Sequence, residues 1–319
     1  MTALILTHAD CDGLCSAALL RSVYPQSEIF FTKPVSLLVD LEELSRKYGQ
    51  IFISDIAINK RDAKEILEFL RKTSAEITWF DHHIVPSTIK QPEIKCNYHN
   101  DLKASASEII YRFYQKKLPQ EKVWLAIYGA VGDFVAESEF VKTWLKDWDA
   151  RALYFQVSTL VLGIKEDQFN AYTAKRKIVD QLSKGKNPSD IPGLVGAATK
   201  AVKREFDLYA IIKSRSKKSG NIGYAKDIPH FGFRGPSALF AATATSSPVG
   251  FSIFSTDRYI DITIRSPDPK IPLNILAEKS AEFVGGSGGG HPTASGARIP
   301  PNTFEKFLEK ANEILKGYL

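Results

Sequence analysis

Short apolar runs that end on acidic or histidine side chains constrain this chain more than any other feature. Ala3–Thr7 runs into His8-Ala9-Asp10-Cys11-Asp12-Gly13, Gln50–Ser54 into Asp55, and Ile77–Phe80 into Asp81-His82-His83. Glu28–Phe31 is a further run of strand type. Between the runs lie patterns of helical period, Gly13–Ser22 and Asn59–Leu70, the latter with Ile66, Leu67 and Leu70 on one face. This alternation predicts βαβ units and a parallel sheet. Ligands of open α/β sheets bind at the carboxyl ends of the strands, where the acidic groups fall. A fourth group, Val131-Gly132-Asp133-Phe134, closes a mostly apolar stretch.

Carboxylates gathered at one sheet end repel one another unless cations neutralise them. A mixture of His and Asp without Cys suits Mn²⁺ or Mg²⁺ better than structural zinc. A single Asp after a strand is adequately explained as a helix cap, and a single His as a packing residue. Neither explanation covers four such clusters in one domain. A second signal is Gly285-Gly-Ser-Gly-Gly-Gly-His291-Pro-Thr-Ala-Ser-Gly296. Successive glycines let backbone N–H groups converge on an anion, and His291 can donate to a phosphate oxygen. A flexible loop is the plain alternative, and no Gly-Lys-Ser/Thr follows to make a P-loop.

Ala104 to about Lys184 is mostly helical in pattern, for example Ala106–Tyr114 and Lys122–Ala130, and Ser183–Gly193 reads as a linker. Ile191–Arg204 adds a connecting helix. Leu208–Lys213, Gly250–Ser255 and Ile260–Arg265 look like strands, and Thr303–Tyr318 like a closing helix. Asn302 and Glu305 stand at capping-box spacing before it. A length of 319 residues suits two domains. Residues 1–190 carry 25 basic and 25 acidic side chains, so the whole excess of +6 lies in the remainder, with 17 and 11. A basic second half suits an anionic ligand, with chance surface composition open beside it. No apolar run reaches the roughly 18 residues of a membrane helix. Three cysteines make no disulfide framework and point to a reducing cytoplasm, with Cys11 and Cys15 as small packing residues.

Taken together, His8-x-Asp10-x-Asp12-Gly13, Asp55, Asp81-His82-His83, Asp133 and Gly288-Gly289-Gly290-His291-Pro-x-Ala-Ser-Gly296 closely resemble the five motifs of the DHH phosphoesterase superfamily, in family order. RecJ nucleases, nanoRNases and cyclic-dinucleotide phosphodiesterases are members. The resemblance implies an α/β fold: an N-terminal parallel-sheet DHH domain over 1–185, a linker over 186–204, and a smaller DHH-associated α/β domain over 205–319. It places the active site in the cleft between the domains. It also implies two Mn²⁺ ions, with Mg²⁺ as an alternative. His8, Asp10 and Asp55 would hold one metal, and Asp12, Asp55, His82 and Asp133 the other, with Asp55 bridging. Asp81 would orient the histidine pair, and His83 would face substrate or attacking water. Gly288, Gly289, Gly290 and His291 would grip a phosphate, with Arg258 and Arg265 as helpers or as members of surface salt bridges.

Among reactions, the resemblance favours an exonuclease or nanoRNase-like phosphodiesterase releasing nucleoside monophosphates from short single-stranded RNA or DNA. Cyclic and linear dinucleotides are a close alternative. The His8–Asp10 spacing and the Gly-Gly-Gly-His signature point away from family II pyrophosphatases. RecJ itself is longer and adds an oligonucleotide-binding fold, for which this chain is expected to have little room. Metal-free replication scaffolds of this fold have lost ligands, whereas this chain keeps them all. A homo-oligomer and DNA-repair or replication partners stay open, and no membrane partner is expected. Ser214–Ser219 reads as a solvated turn, with nucleic-acid contact as the alternative, and the Trp124–Trp148 stretch as core.

Overall fold

Two sheets organise the chain in this computed structural model, which describes residues 2–146, 148–229 and 232–319. The chain divides into two compact units, Met1–Lys200 and Ala201–Leu319. The first opens with β1 (Leu4–Thr7), α1 (Cys11–Val23), β2 (Glu28–Phe31), α2 (Leu37–Leu44), β3 (Gln50–Ser54), α3 (Ala63–Lys72), β4 (Glu76–Asp81) and β5 (Asn97–Asn100). These strands make one parallel sheet in the order β2-β1-β3-β4-β5. The helical remainder is α4 (Ala106–Tyr114), α5 (Val123–Gly132), α6 (Glu139–Leu145), α7 (Ala150–Gly163), α8 (Asp167–Asn170) and α9 (Tyr172–Ser183).

Every residue of β1 is buried, as expected of a parallel strand covered on both faces. Alternate side chains serve opposite layers. Leu4, Leu6, Ile51, Ile53, Ile77 and Trp79 pack with α2 and α3. Ile5, Phe52 and Phe80 pack with α1, α4, α5, α7 and α9. Cys11 and Cys15 are buried in that second layer, as small packing residues. Trp124 packs against Trp144 and Trp148 at ring distances of 6.5 and 4.1 Å; Trp124 and Trp144 are half-buried against the core and Trp148 is exposed, so the tryptophans line the rim of the core rather than its interior.

Helix α10 (Leu194–Arg215) leads into the second unit. There follow β6 (Lys217–Ser219), β7 (Ile222–Lys226), α11 (Arg234–Ala244), β8 (Val249–Ser255), β9 (Ile260–Arg265), α12 (Leu273–Phe283), β10 (Ser287–His291), β11 (Ala294–Ile299) and α13 (Phe304–Leu315). The sheet order is β10-β11-β9-β8-β7-β6. Strand β9, Ile-Asp-Ile-Thr-Ile-Arg, alternates buried and half-buried residues. Its isoleucines join Phe251, Phe307 and Leu308 in the core beneath α12 and α13. On the opposite face α11 lies over β7 and β8, where Gly223 and Gly250 let its backbone approach so closely that a Cβ would overlap it.

Three local expectations are corrected. Leu208–Lys213 is not a strand but part of α10. Leu208 and Ile212 are its buried positions, four apart, and a short apolar run does not by its period separate strand from helix. Asn302 does not cap α13. It sits at φ 63°, and Thr303, which precedes the helix, makes no side-chain cap. The apolar face read for this helix, Phe304, Phe307, Leu308, Ala311 and Leu315, is buried as expected. Ser214–Ser219 ends α10 and then forms edge strand β6 rather than a free turn. Among the described residues no helix is long and apolar enough to cross a membrane.

Candidate functional site

The sheet order reverses direction at β1 and β3, and the carboxyl ends of strands at such a reversal are where open α/β sheets bind ligands. His8, Asp10 and Asp12 follow β1, Asp55 follows β3, and Asp81, His82 and His83 follow or end β4. Asp133 follows α5. Ligand atoms of His8, Asp10 and Asp55 lie within 4.8 Å of one another, as do those of Asp12, Asp55 and His82. The two groups share Asp55. Asp133 Oδ2 lies 3.4 Å from His82 Nε2, so all six side chains converge.

Local structure holds each one in place. Asp10 caps α1, its Oδ1 accepting from Gly13 N at 3.0 Å. Asp12 is fully buried and accepts from Ala106 N at 2.8 Å and Ser107 N at 3.1 Å, the first amides of α4. A helix N-terminus favours a negative charge there. Asp55 sits at φ 57°, a left-handed conformation rare outside glycine and costly unless the surroundings enforce it. It turns the carboxylate into the cluster. His83 Nδ1 pairs with Asp81 Oδ1 at 2.7 Å, and Asn100 Nδ2 donates to the His83 carbonyl at 3.0 Å.

The cluster is closed on one side and open on the other. Asp55 and His82 are 4% and 1% exposed, whereas His8 and Asp10 keep 37% and 44% of their side chains accessible. Burial, followed by the charges of Asp10, Asp12 and Asp133, pushes the Asp55 carboxyl well above the usual range. Burial alone would raise Asp10 as well, but the His8 charge and hydrogen bond hold it below that range. His8 is raised chiefly by Asp10. Burial drives His82 towards the neutral ring, the form that ligates metals. Burial also opposes charge on His83, but Asp81 outweighs it and the net shift is upward. Asp55 Oδ2 and Asp81 Oδ2 are buried without a hydrogen bond. For Asp55, which lies among the other acids of the cluster, a buried oxygen left in this way fits a cation. A donor set of imidazole nitrogens and carboxylate oxygens fits a divalent metal of the Mn²⁺ or Mg²⁺ type.

Several supporting residues carry no motif signal. Lys175 on α9, almost buried, donates from Nζ to the Ala9 carbonyl at 2.8 Å, between His8 and Asp10. Gly129 on α5 leaves the space that Asp12 Oδ1 and Ser107 Oγ fill. Ser105, whose side chain caps α4 by accepting from Glu108 N at 3.2 Å, could have been found from its Ser-x-x-Glu spacing.

In the second unit the glycine run is not a loop but strand β10, paired with β11. Its glycines answer to two faces. A Cβ on Gly288 would overlap the Ala277 carbonyl of α12, whereas one on Gly289 would meet nothing. His291 pairs with Ala294, and Ala294 with Arg265, so His291 and Arg265 flank one residue on the sheet face that carries α11, and both are half-buried. Arg265 Nη1 donates to the Ile264 carbonyl at 2.8 Å. Arg258 lies in the turn before β9, at the opposite end of that strand, and does not join them.

Residues 2–131 match the family model of the DHH family, N-terminal domain, and residues 241–317 match that of the DHHA1 domain. No curated protein sequence matches the chain. Among solved structures, a DHH domain described as belonging to a family of ribosomal proteins has TM-score 0.75 at 14% identity, over 99% of this chain and 87% of that one. RecJ of Thermus thermophilus in complex with Mn²⁺ has TM-score 0.71 at 17% identity, over 100% of this chain and 52% of RecJ. The chain therefore spans about half the length of that enzyme. The pGpG-specific phosphodiesterase PggH of Vibrio cholerae has TM-score 0.58 at 15% identity, over 100% of both chains. At these identities the likeness is one of fold.

Proposed function

Since the chain belongs to the DHH family and carries a DHHA1 domain towards its C-terminal end, we propose that it is a metal-dependent phosphodiesterase that trims short single-stranded oligonucleotides to nucleoside monophosphates. The observation that carries this reading is the pair of ligand groups sharing Asp55, with an Asp55 oxygen buried and without a hydrogen bond. His8, Asp10 and Asp55 would hold one divalent cation, and Asp12, Asp55, His82 and Asp133 the other. Such a pair of ions supplies a water of lowered pKa and positive charge at both ends of an in-line displacement.

The chain's own side chains supply the rest. The α4 amides fix Asp12, and the Asp10 cap fixes the start of α1, so ligand positions are set before anything binds. Asp81 pins His83 through Nδ1, which would leave its other nitrogen, Nε2, to face the substrate or the attacking water. His291 and Arg265, on one face of the second sheet, would fix a phosphate of the substrate.

The test is a product time-course on labelled oligonucleotides of two to about 25 nucleotides, alongside a cyclic dinucleotide, with Mn²⁺. Release of monophosphates from the short oligomers supports the reading. Cleavage confined to the cyclic or linear dinucleotide would narrow the substrate to that class. No cleavage of any of them by metal-loaded protein would refute it.

A further inference from the structure

The face of the second sheet that carries His291 and Arg265 bears another constellation at its far end. Partners in a ladder point to the same face, and residues two apart along a strand do too. Asp261 on β9 and Arg298 on β11 are partners, and by this rule they share a face with Thr263, Arg265, Gly296, Gly289 and His291. Arg298 grips Asp261 through Nε at 2.7 Å and Nη2 at 3.0 Å. Its guanidinium lies 3.8 Å from the centre of the Tyr259 ring. Arg234, in the first turn of α11, reaches Asp261 Oδ2 at 3.4 Å and lies 5.3 Å from the centre of the Phe254 ring.

Stability does not explain this gathering. Exposed ion pairs contribute little, and 59% of the Arg298 side chain remains accessible. The effect of the arrangement is to immobilise a guanidinium plane, forked onto a carboxylate on one edge and backed by a ring on one side. A flat, cationic, solvent-reached surface held in one orientation is what an unpaired nucleobase stacks on. Asp261 and Arg265 are four residues apart on one strand, about 13 Å, so an oligonucleotide with a phosphate near Arg265 can reach it. Asp261 offsets one of the two arginines, which favours a base over a second phosphate.

We propose that Arg298, backed by Tyr259 and clamped by Asp261, is a base-stacking subsite for a nucleotide next along the oligonucleotide strand from the phosphate held near Arg265. The proposal rests on the phosphodiesterase reading above. Its test is an abasic scan: tetranucleotides lacking one base at each position in turn, with Mn²⁺, on the wild type and on Arg298→Ala, Arg298→Lys and Tyr259→Ala. In the wild type, kcat/KM should fall about tenfold when one particular base is missing, as expected for one stacked base. Arg298→Ala should show that loss on the intact tetranucleotide and lose nothing more on the abasic one. Arg298→Lys should not restore it, because a lysine has the charge without the plane.

Equal losses on intact and abasic substrates, or full rescue by lysine, would overturn the stacking assignment. If no oligonucleotide is cleaved, the phosphodiesterase reading falls on its own. Anisotropy of a labelled tetranucleotide in chelator then decides the subsite: Kd about tenfold weaker in Arg298→Ala supports it, and an unchanged Kd overturns it.

Discussion

Replacing Gly129 by alanine adds one methyl group at a tight point behind the proposed metal ligand Asp12. The added carbon would overlap Asp12 Oδ1 and Ser107 Oγ, and would stand 3.0 Å from Ser107 Cβ. Asp12 cannot simply turn away, because both its oxygens are bonded to the Ala106 and Ser107 amides. An ordinary contact requires the carboxylate to retreat by about 1 Å. Intrinsic helix propensity works the other way and favours alanine by about 1 kcal/mol. Overpacking of a tight core typically costs about 1–3 kcal/mol, so the net stability change is modest, at most about 2 kcal/mol. The catalytic effect should be much larger: a misplacement of about 1 Å lowers kcat/KM about 100-fold. Urea denaturation, metal content and Mn²⁺-supported hydrolysis are measured on one preparation. Gly196→Ala is the control, since a Cβ there meets nothing and alanine should be neutral or stabilising. A Gly129→Ala enzyme with wild-type kcat/KM and full metal content would refute the claim that α5 and α4 together position Asp12.

Further outcomes follow from the same geometry. His291→Ala should raise KM, with kcat lowered by looser alignment, while metal content stays intact; metal loss would make His291 a ligand. Lys175→Met should leave the Ala9 carbonyl without its donor and lower stability by about 1–3 kcal/mol, read from the urea midpoint, with weakened Mn²⁺ affinity; wild-type values for both would show that Lys175 does not brace the His8–Asp10 turn. For pH, the Asp55 carboxyl is raised in the fold, so its contribution to metal-free stability is fully present below the ordinary carboxylate pKa. That contribution is lost as pH rises through the raised value. Metal binding needs the ionised form and strengthens over the same range. The gain in unfolding free energy from Mn²⁺ should therefore widen from pH 5 to pH 8, reaching about 2.7 kcal/mol at 100 times Kd; a gain independent of pH would contradict the Asp55 assignment.

The convergence of the acidic and histidine side chains was legible because their chemistry sits at strand ends, where the Leu4–Thr7, Gln50–Ser54 and Glu76–Asp81 runs stop. A parallel sheet buried on both faces writes itself as continuous apolar sequence, and its functional groups then stand out. Lys175 was not legible: it lies far along the chain from Ala9 and meets it only through the packing of α9 on α1. The Leu208–Lys213 segment misled because six residues do not fix a period, and its helix is set by what precedes it. The glycine run announced close approach of backbone but not of what. On β10 one glycine answers to α12 and its neighbour to open space, a distinction that only strand register makes. Arg298 and Asp261 were invisible as a pair because β9 and β11 are joined by register, not by sequence proximity.

The central claim, a shared carboxylate joining two metal positions that drive phosphodiester hydrolysis, is tested most directly by titrating metal-stripped protein with Mn²⁺. Bound metal and hydrolysis of a tetranucleotide are followed together, in the wild type and in Asp55→Asn. The account predicts no turnover in excess chelator and restored turnover with Mn²⁺. It further predicts that Asp55→Asn is defective at both positions, with turnover lowered by about 1,000-fold or more. Undiminished turnover by wild-type protein shown to be free of metal, or an Asp55→Asn protein that loads and turns over like the wild type, would contradict it.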